Sequence, residues 1–326
     1  MREIRIGAAQ FEARDADRDY NLDRIKALTA KAAGEGAEMV CFHECCVCGY
    51  TFLEDLGRPQ LERLAEPVPD GRSTKALVKI ARKFGVALGA GLIEVAEDGS
   101  LYNTYVVVSP DGFVAKHRKL HPFISDHLSA GSEYTVFELL GCTFGVLTCY
   151  DNNLIENVRM TVLLGADVIL MPHVTGGTPS PVPGRGKIAR EVWDNRDRDP
   201  MRCHMEFMGP KGRGWLMHWL PARAYDNGVY AVFTNAVGVD ADTIKPGNAM
   251  VLDPFGEILV ESHALGDDVV VALLTPEKIQ VSSGRRYLRV RRPELYGKLV
   301  EPVPEEERSK ASSRFADVWW KKHRGG

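Results

Sequence analysis

The sequence predicts a layered α/β fold with mixed sheets, held in one domain over residues 1–284 and followed by a tail over 285–326. Three observations lead there. Helical patterns alternate with short apolar strand runs from residue 4 to residue 274, as helix layers on sheets require. Two strand pairs are joined by tight turns, Pro110-Asp111-Gly112 and Asp253-Pro254-Phe255-Gly256, so antiparallel hairpins stand where a purely parallel sheet has none. That rules against a TIM barrel and a plain Rossmann fold. Length alone suggests about two domains, but a large α/β sandwich fills 326 residues as one.

The elements come in order along the chain. Ile4 to Gln10 reads as the opening strand. Asn21 to Ala33 puts Leu22, Ile25, Leu28 and Ala32 on one helical face, with Gly34 placed as its stop. Gly36-Ala37 leads into the strand Met39 to Phe42, which ends at His43-Glu44. Ser73 to Phe84 reads as a helix closed by Gly85, and Val86 to Leu92 as the next strand. Tyr105 to Ser109 and Phe113 to His117 form the first hairpin, which runs into Lys116-His117-Arg118-Lys119. Phe144 to Thr148 is a buried strand carrying Cys149 at its end, and Leu154 to Leu164 a helix. Gly165-Ala166-Asp167 then leads into Val168 to Met171, echoing the helix, Gly-Ala-acid, strand unit around residue 37. Residues 174–214 are rich in Gly, Pro, Arg and Asp with little periodicity, and read as a long excursion. Trp215 to Asn227 reads as a helix and Tyr230 to Thr234 as a strand. Ala249 to Leu252 and Ile258 to Glu261 make the second hairpin, and Asp268 to Leu274 closes the regular part. The tail carries Tyr287, Tyr296, Trp319 and Trp320, a composition suited to a partner surface.

Composition narrows the function. Hydrophobic content of 44% with 26% charged residues is ordinary and ample for a core. A net charge of -3 gives no reason to expect nucleic acid or an anionic membrane as partner. No apolar run approaches the roughly 20 residues of a membrane span. The start, MREIRIGAAQF, lacks a signal peptide's apolar core, so a cytoplasmic location is expected. Seven cysteines without an export signal do not suggest a disulfide framework. Four of them, Cys41, Cys45, Cys46 and Cys48, invite a zinc reading. Zinc sites normally need a second ligand pair, and Cys142 and Cys203 are isolated, so no metal is expected and the four read as small residues packed at a strand end.

Chemistry converges on strand ends. A thiol at a strand-to-helix corner is held on rigid elements near a helix dipole, which favours a reactive thiolate. Glu44 follows four apolar strand residues and Lys119 ends a hairpin. Glu44 is suited to take a proton from Cys149, and Lys119 to hold the thiolate and then the oxyanion formed on attack at a carbonyl or nitrile carbon. In α/β folds the C-terminal ends of strands are where such groups collect.

These residues resemble the nitrilase, or carbon-nitrogen hydrolase, superfamily, whose members use a Glu-Lys-Cys triad. Glu44 is followed by Gly49-Tyr50; Arg118-Lys119-Leu120-His121 looks like the lysine motif, preceded by Tyr102-Asn103 and Pro110-Asp111-Gly112. Cys149-Tyr150-Asp151, then Glu156 and Arg159, is similar to the nucleophile motif and its structural ion pair. Trp215, Ala222-Arg223-Ala224 and Asn227, then Asn235 and Gly238, match the family's later helix and strand. Gly247-Asn248-Ala249 and Asp253 to Gly256 match its late hairpin, so the likeness covers roughly residues 4–275. It implies a four-layer α-β-β-α sandwich and a homodimer or higher homo-oligomer that pairs across the sandwich helices, with the tail reaching the neighbour. It also implies cofactor-free hydrolysis through a thioester or thioimidate on Cys149, released by water that Glu44 activates.

The chain departs from the pattern in places. Members often carry a second glutamate between the lysine motif and the nucleophile strand; here Asp126 is the nearest match, with His127 and Glu133 as substitutes. Tyr50, Tyr150, Asn152, Asn153 and His173 are the candidate substrate-binding residues. An amidase acting on a small-molecule amide is the leading expectation. A nitrilase, an N-carbamoyl amino acid or amine amidohydrolase, an N-acyltransferase and a non-catalytic scaffold are the alternatives. Relatives that hydrolyse N-carbamoyl amino acids often place an Arg soon after the cysteine to hold the substrate carboxylate. Asn152 and Asn153 stand there instead, while Arg185, Lys187, Arg190, Arg196 and Arg198 lie in the excursion among screening aspartates. A neutral amide is therefore expected.

Overall fold

In the computed structural model, residues 1–180 and 182–304 are described, and the chain forms fourteen strands and ten α-helices among them. The strands are β1 (Ile4–Gln10), β2 (Met39–Cys41), β3 (Ala87–Val95), β4 (Leu101–Ser109), β5 (Gly112–Arg118), β6 (Thr135–Leu139), β7 (Cys142–Val146), β8 (Val168–His173), β9 (Tyr230–Asn235), β10 (Val237–Asp240), β11 (Thr243–Pro246), β12 (Met250–Leu252), β13 (Ile258–Glu261) and β14 (Asp268–Leu274). The helices are α1 (Arg18–Gly34), α2 (Arg58–Leu64), α3 (Arg72–Phe84), α4 (Ile155–Leu163), α5 (Arg190–Asp194), α6 (Pro200–Met208), α7 (Arg213–Leu216), α8 (Leu220–Tyr225), α9 (Pro276–Val281) and α10 (Ser283–Arg289).

Two six-stranded sheets dominate, in the orders β14-β1-β2-β3-β4-β5 and β13-β12-β9-β8-β7-β6. Each has three parallel strands, β1-β2-β3 and β7-β8-β9, flanked by antiparallel ones. Both sheets are mixed, as the hairpins predict. Side chains alternate between faces along each strand, which sorts the core into layers. Ile4, Ile6, Met39 and Val107 of one sheet meet Phe144, Val168, Leu170 and Val232 of the other. On the first sheet's outer face, Val40, Leu88 and Ala90 pack against Ile25, Leu28, Leu77 and Ala81 of α1 and α3. On the second, Ile169, Met171 and Ala231 pack against Val158, Val162, Leu220 and Ala224 of α4 and α8. The result is the α-β-β-α sandwich.

The echo between residues 37 and 166 marks two β-α-β units, β1-α1-β2 and β7-α4-β8. Gly36 and Gly165 have φ of +83° and +110°, a region open to glycine and costly for other residues. Each reverses the chain into the next strand, with Ala37 or Ala166 buried behind it. Gly34 was the expected stop; it lies inside α1, and Gly36 makes the reversal.

Three other expectations need correction. The 174–214 excursion is not irregular: it holds α5 and α6, and Ile188, Val192, Trp193, Cys203 and Phe207 form a small core with Val237 and Ile244 from the β10-β11 hairpin. Trp215 to Asn227 is not one helix; it breaks into α7 and α8 around Trp219, with Pro221 in the first turn of α8 where its missing N–H does no harm. Regular structure also crosses the boundary placed after residue 284, since α10 spans it. There the Arg285 guanidinium donates to the carbonyls of Gly228 and Ala166 and to Asp167. Trp319 and Trp320 lie outside the described residues.

Candidate active site

Glu44 leaves the end of β2 through Phe42 and His43 into a tight turn. That turn is held by N–H donation from Cys48 and Gly49 to the Cys45 carbonyl, at 3.0 and 2.9 Å, with Cys45 at φ +46°. It presses onto β3 so closely that a Cβ on Gly91 would lie 2.2 Å from the Cys45 nitrogen. Lys119 follows β5 and donates its backbone N–H to the Asn103 carbonyl at 2.9 Å. The two side chains meet in the interior: Lys119 Nζ donates to Glu44 Oε1 at 2.6 Å, and Asn103 Nδ2 donates to the same oxygen at 2.7 Å. Both are essentially inaccessible to solvent. Glu44 Oε2, also buried, has no hydrogen-bond partner.

Cys149 completes the group. It leaves β7 through Leu147 and Thr148, opens a 3-10 turn over Cys149–Asn153, and sits at φ +52°. A non-glycine residue in this region is strained, and such strain gathers at functional sites. The thiol faces the Glu44 carboxylate, the Lys119 ammonium and the Val174 N–H at the end of β8. Burial pushes it up to about 12, and the Glu44 charge adds to this while Lys119 and the Val174 N–H pull the other way. For Lys119 burial disfavours the charge, but Glu44, Cys149 and Asp151 outweigh it and hold the ammonium above its ordinary pKa. A thiol that burial pushes toward its protonated form thus lies beside a cation and a carboxylate whose Oε2 has no hydrogen-bond partner, an arrangement suited to proton transfer and then nucleophilic attack.

Asp151 fixes the nucleophile turn to the lysine loop. Its carboxylate accepts from the backbone N–H groups of Leu120, His121 and Thr148 and contacts His117 Nε2. In the sequence Asp151 stands out only as part of a motif, and Asn103 likewise; their spacing from Cys149 and Lys119 is the signal that could have found them.

The remaining expected residues divide. The Tyr50 ring lies 5.6 Å from Lys119 Nζ, and its buried hydroxyl has no partner. Burial raises the phenol's pKa, with the Glu44 and Cys149 charges adding to it, so Tyr50 borders the site. Tyr150 is 37% exposed, edge-on to His121 and Phe123. Asn152 points inward and is a correction: its Nδ2 donates to the Leu147 and Cys149 carbonyls and meets His173 Nε2 at 3.1 Å. It shapes the turn. Asn153 is half-buried, and its carbonyl, like that of Asn152, accepts from Arg223. His173 is packed between Trp219 and Phe233, and burial drives its pKa down to about 3, so it is a neutral ring bracing Asn152. Asp126, His127 and Glu133 are exposed on the loop before β6, whose buried positions go to Ile124 and Leu128. The carboxylates acting on Lys119 are Glu44 and Asp151 instead. The expected Glu156–Arg159 ion pair is replaced by a bond from Arg159 to the Asp226 carbonyl.

The carbon-nitrogen hydrolase family model matches residues 5–282. Among curated relatives, an (R)-stereoselective amidase of a Pseudomonas species is 31% identical, covering 91% of this chain and 95% of its own. A nitrilase of Pyrococcus abyssi and the omega-amidase NIT2 of Xenopus tropicalis are each 28% identical, over 82% and 91% of this chain and 88% and 98% of their own. Among solved structures, the amidase of Nesterenkonia sp. AN1, as a double mutant in complex with acrylamide, aligns with a TM-score of 0.67 at 22% identity, over 91% of this chain and 97% of that one. Saccharomyces cerevisiae Nit3 gives 0.68 at 23%, over 90% and 97%. These structures share the fold. Among the described residues no helix is long and apolar enough to cross a membrane.

Proposed function

This chain belongs to the carbon-nitrogen hydrolase family, and we propose that within it the protein is an amidase acting on a small neutral carboxamide. The observation that carries this reading is the asymmetry of Glu44: Lys119 and Asn103 occupy Oε1, Oε2 is buried without a hydrogen-bond partner, and the carboxylate acts on the Cys149 thiol. A carboxylate so held is oriented to exchange protons with one neighbour only. The name of the Pseudomonas relative supports amides in particular.

In the proposed cycle, Glu44 Oε2 takes the Cys149 proton as sulfur attacks the carboxamide carbon. Burial favours the protonated thiol, so in this reading Glu44 removes the proton with substrate in place. Negative charge moves to the carbonyl oxygen, where the Lys119 ammonium stabilises it in a site with little water. Glu44 returns the proton to the leaving nitrogen, and ammonia departs from an acyl-Cys149 thioester. Water, deprotonated by Glu44, then attacks the thioester carbon, and collapse releases the carboxylic acid and restores the thiol. The net reaction adds one water across the carbon-nitrogen bond.

A nitrilase is the second reading, since the same attack on a nitrile gives a thioimidate and the Pyrococcus relative carries that name. Ammonia release from a matched panel of amides and nitriles, with capture of the Cys149 adduct by mass spectrometry, tests both. Turnover of amides with Cys149 acylated is expected. Turnover of nitriles alone, or activity surviving Cys149→Ala, would overturn the amidase reading.

A further inference from the structure

Cys45 and Cys48 form a Cys-x-x-Cys pair directly after Glu44, and the proposed cycle uses neither. The N–H of Cys48 donates to the Cys45 carbonyl at 3.0 Å. A turn closed in this way brings its end Cα atoms within about 7 Å, overlapping the roughly 4.4–6.8 Å span of disulfides. Both thiols are buried on this one turn, and the Cys48 thiol donates to the Gly49 carbonyl at 3.3 Å and to the Cys45 carbonyl at 3.7 Å. Cys46, between them, faces the Gly91 carbonyl at 3.8 Å instead. Cys45 Sγ donates to Asn103 Oδ1 at 3.4 Å, and Asn103 Nδ2 donates to Glu44 Oε1 at 2.7 Å. One side chain therefore links the pair to the carboxylate of the site.

We propose that Cys45 and Cys48 are a reversible oxidation site, closed to a disulfide by a small hydroperoxide, and that closure disables Glu44. One sulfur, as thiolate, attacks the O–O bond of hydrogen peroxide, becomes a sulfenic acid and releases water. The second thiol displaces water from that sulfur to form the S–S bond. Two S–H bonds are lost, and peroxide gains two electrons and two protons to leave as two waters. Burial holds the Cys45 thiol well above its ordinary pKa, so closure is slow at neutral pH and quickens with alkali. The disulfide removes the hydrogen that Cys45 gives to Asn103, leaving a buried amide oxygen without its donor and loosening the bond that fixes Glu44.

The chemical half is independent of activity. The full chain carrying Cys149→Ser is exposed to hydrogen peroxide and read by intact mass and peptide mapping. A loss of two hydrogens is expected, with Cys45 and Cys48 refusing iodoacetamide in the denatured protein until dithiothreitol is added. Adding Cys48→Ala should abolish that loss, and adding Cys46→Ala should leave it. Its absence in the Cys149→Ser protein, or its persistence with Cys48→Ala, would overturn the site. The regulatory half rests on the amidase reading. Peroxide should lower amide turnover of the chain with Cys149 intact by at least about fivefold, reversibly, an effect that Cys48→Ala escapes. Equal losses in both proteins would place the damage at Cys149 and overturn the switch. If no amide is turned over at all, the function fails while the mass result still decides the site.

Discussion

The Asp151 carboxylate accepts the backbone N–H of His121 at 2.9 Å, so the residue two places after Cys149 grips the loop two places after Lys119. With the Leu120 and Thr148 N–H groups on the same carboxylate, the distance between nucleophile and cation is set by one buried anion. Asp151→Asn puts an NH2 where backbone donors point and leaves them short of acceptors. Activity is expected to fall about 100-fold and stability by about 3 kcal/mol at pH 7. The pH dependence has a definite sign. His117 and Lys119 overcome burial and hold the folded-state pKa of Asp151 below its ordinary 3.8. Its contribution is present above that value and lost as pH falls through the lower folded one. The stability gap between wild type and Asp151→Asn should narrow in acid; a gap constant from pH 7 to pH 2 would contradict the clamp.

Lys119 and Lys116 separate two roles at one strand end. Lys119→Met removes the proposed oxyanion donor, and kcat should drop by about 10²–10³. Lys119→Arg should not rescue it, because a planar fork does not replace a point charge. Lys116 pairs with the buried Glu94 carboxylate at 2.5 Å, next to the two bonds from Arg118. Lys116→Met is therefore expected to cost stability and at most about tenfold in kcat. Equal kinetic losses at both positions would undo the assignment.

Legibility in the sequence depends on how each signal arises. The two β-α-β units are visible because apolar strands, amphipathic helices and a left-handed glycine repeat in both. The Glu44, Lys119 and Cys149 cluster is visible because Glu44 and Cys149 follow apolar strands and Lys119 ends the first hairpin. The excursion hides its helices because five residues in α5 and nine in α6 are too few to display a period. The candidates Asp126, His127 and Glu133 fail for another reason: inward positions on that loop go to Ile124 and Leu128, a choice made by packing across the fold. Asn152 likewise reads as a ligand from its nearness to Cys149 along the chain, and only the three-dimensional turn shows its amide spent on Leu147 and Cys149.

The thiol's elevated pKa gives a test without substrate. Cys149 is pushed up to about 12, so the thiolate fraction should rise about tenfold per pH unit across neutral and mildly alkaline pH. Alkylation of Cys149 by iodoacetamide should accelerate from pH 7 to pH 10 with no plateau. Saturation below pH 9 would mean a preformed thiolate and a different resting state.

Two truncations distinguish the inner and outer parts of the tail. Stopping at residue 284 removes Arg285, whose guanidinium joins Gly228, Ala166 and Asp167, and should lower the Tm of the subunit itself. Stopping at residue 289 keeps that anchor but removes exposed apolar residues such as Val290, Leu299 and Val300. This shorter loss should change association, read by light scattering, with little change in subunit stability. Unchanged mass with the second truncation would count against the tail as a partner surface.

The substrate prediction rests on where the cations are. A carbamoyl amino acid needs a positive charge free to hold its carboxylate. Arg223, whose guanidinium reaches the nucleophile turn, is committed to the carbonyls of Asn152 and Asn153. In the excursion, Arg185 lies 3.6 Å over the Trp215 ring, Lys187 pairs with Asp242, Arg190 with Asp194, and Arg196 stacks on Trp193. Lys119 is bound to Glu44, and the proposed cycle already uses its charge on the oxyanion. An anionic substrate would enter beside the Glu44 carboxylate with none of these cations to receive it, so a neutral amide should be preferred by about tenfold or more in kcat/KM over an N-carbamoyl amino acid of matched size. Replacing Arg185 or Arg196 by Met should leave that ratio within about threefold. A preference for the carboxylate-bearing compound, lost on either replacement, would mean that the excursion folds an arginine inward over the substrate.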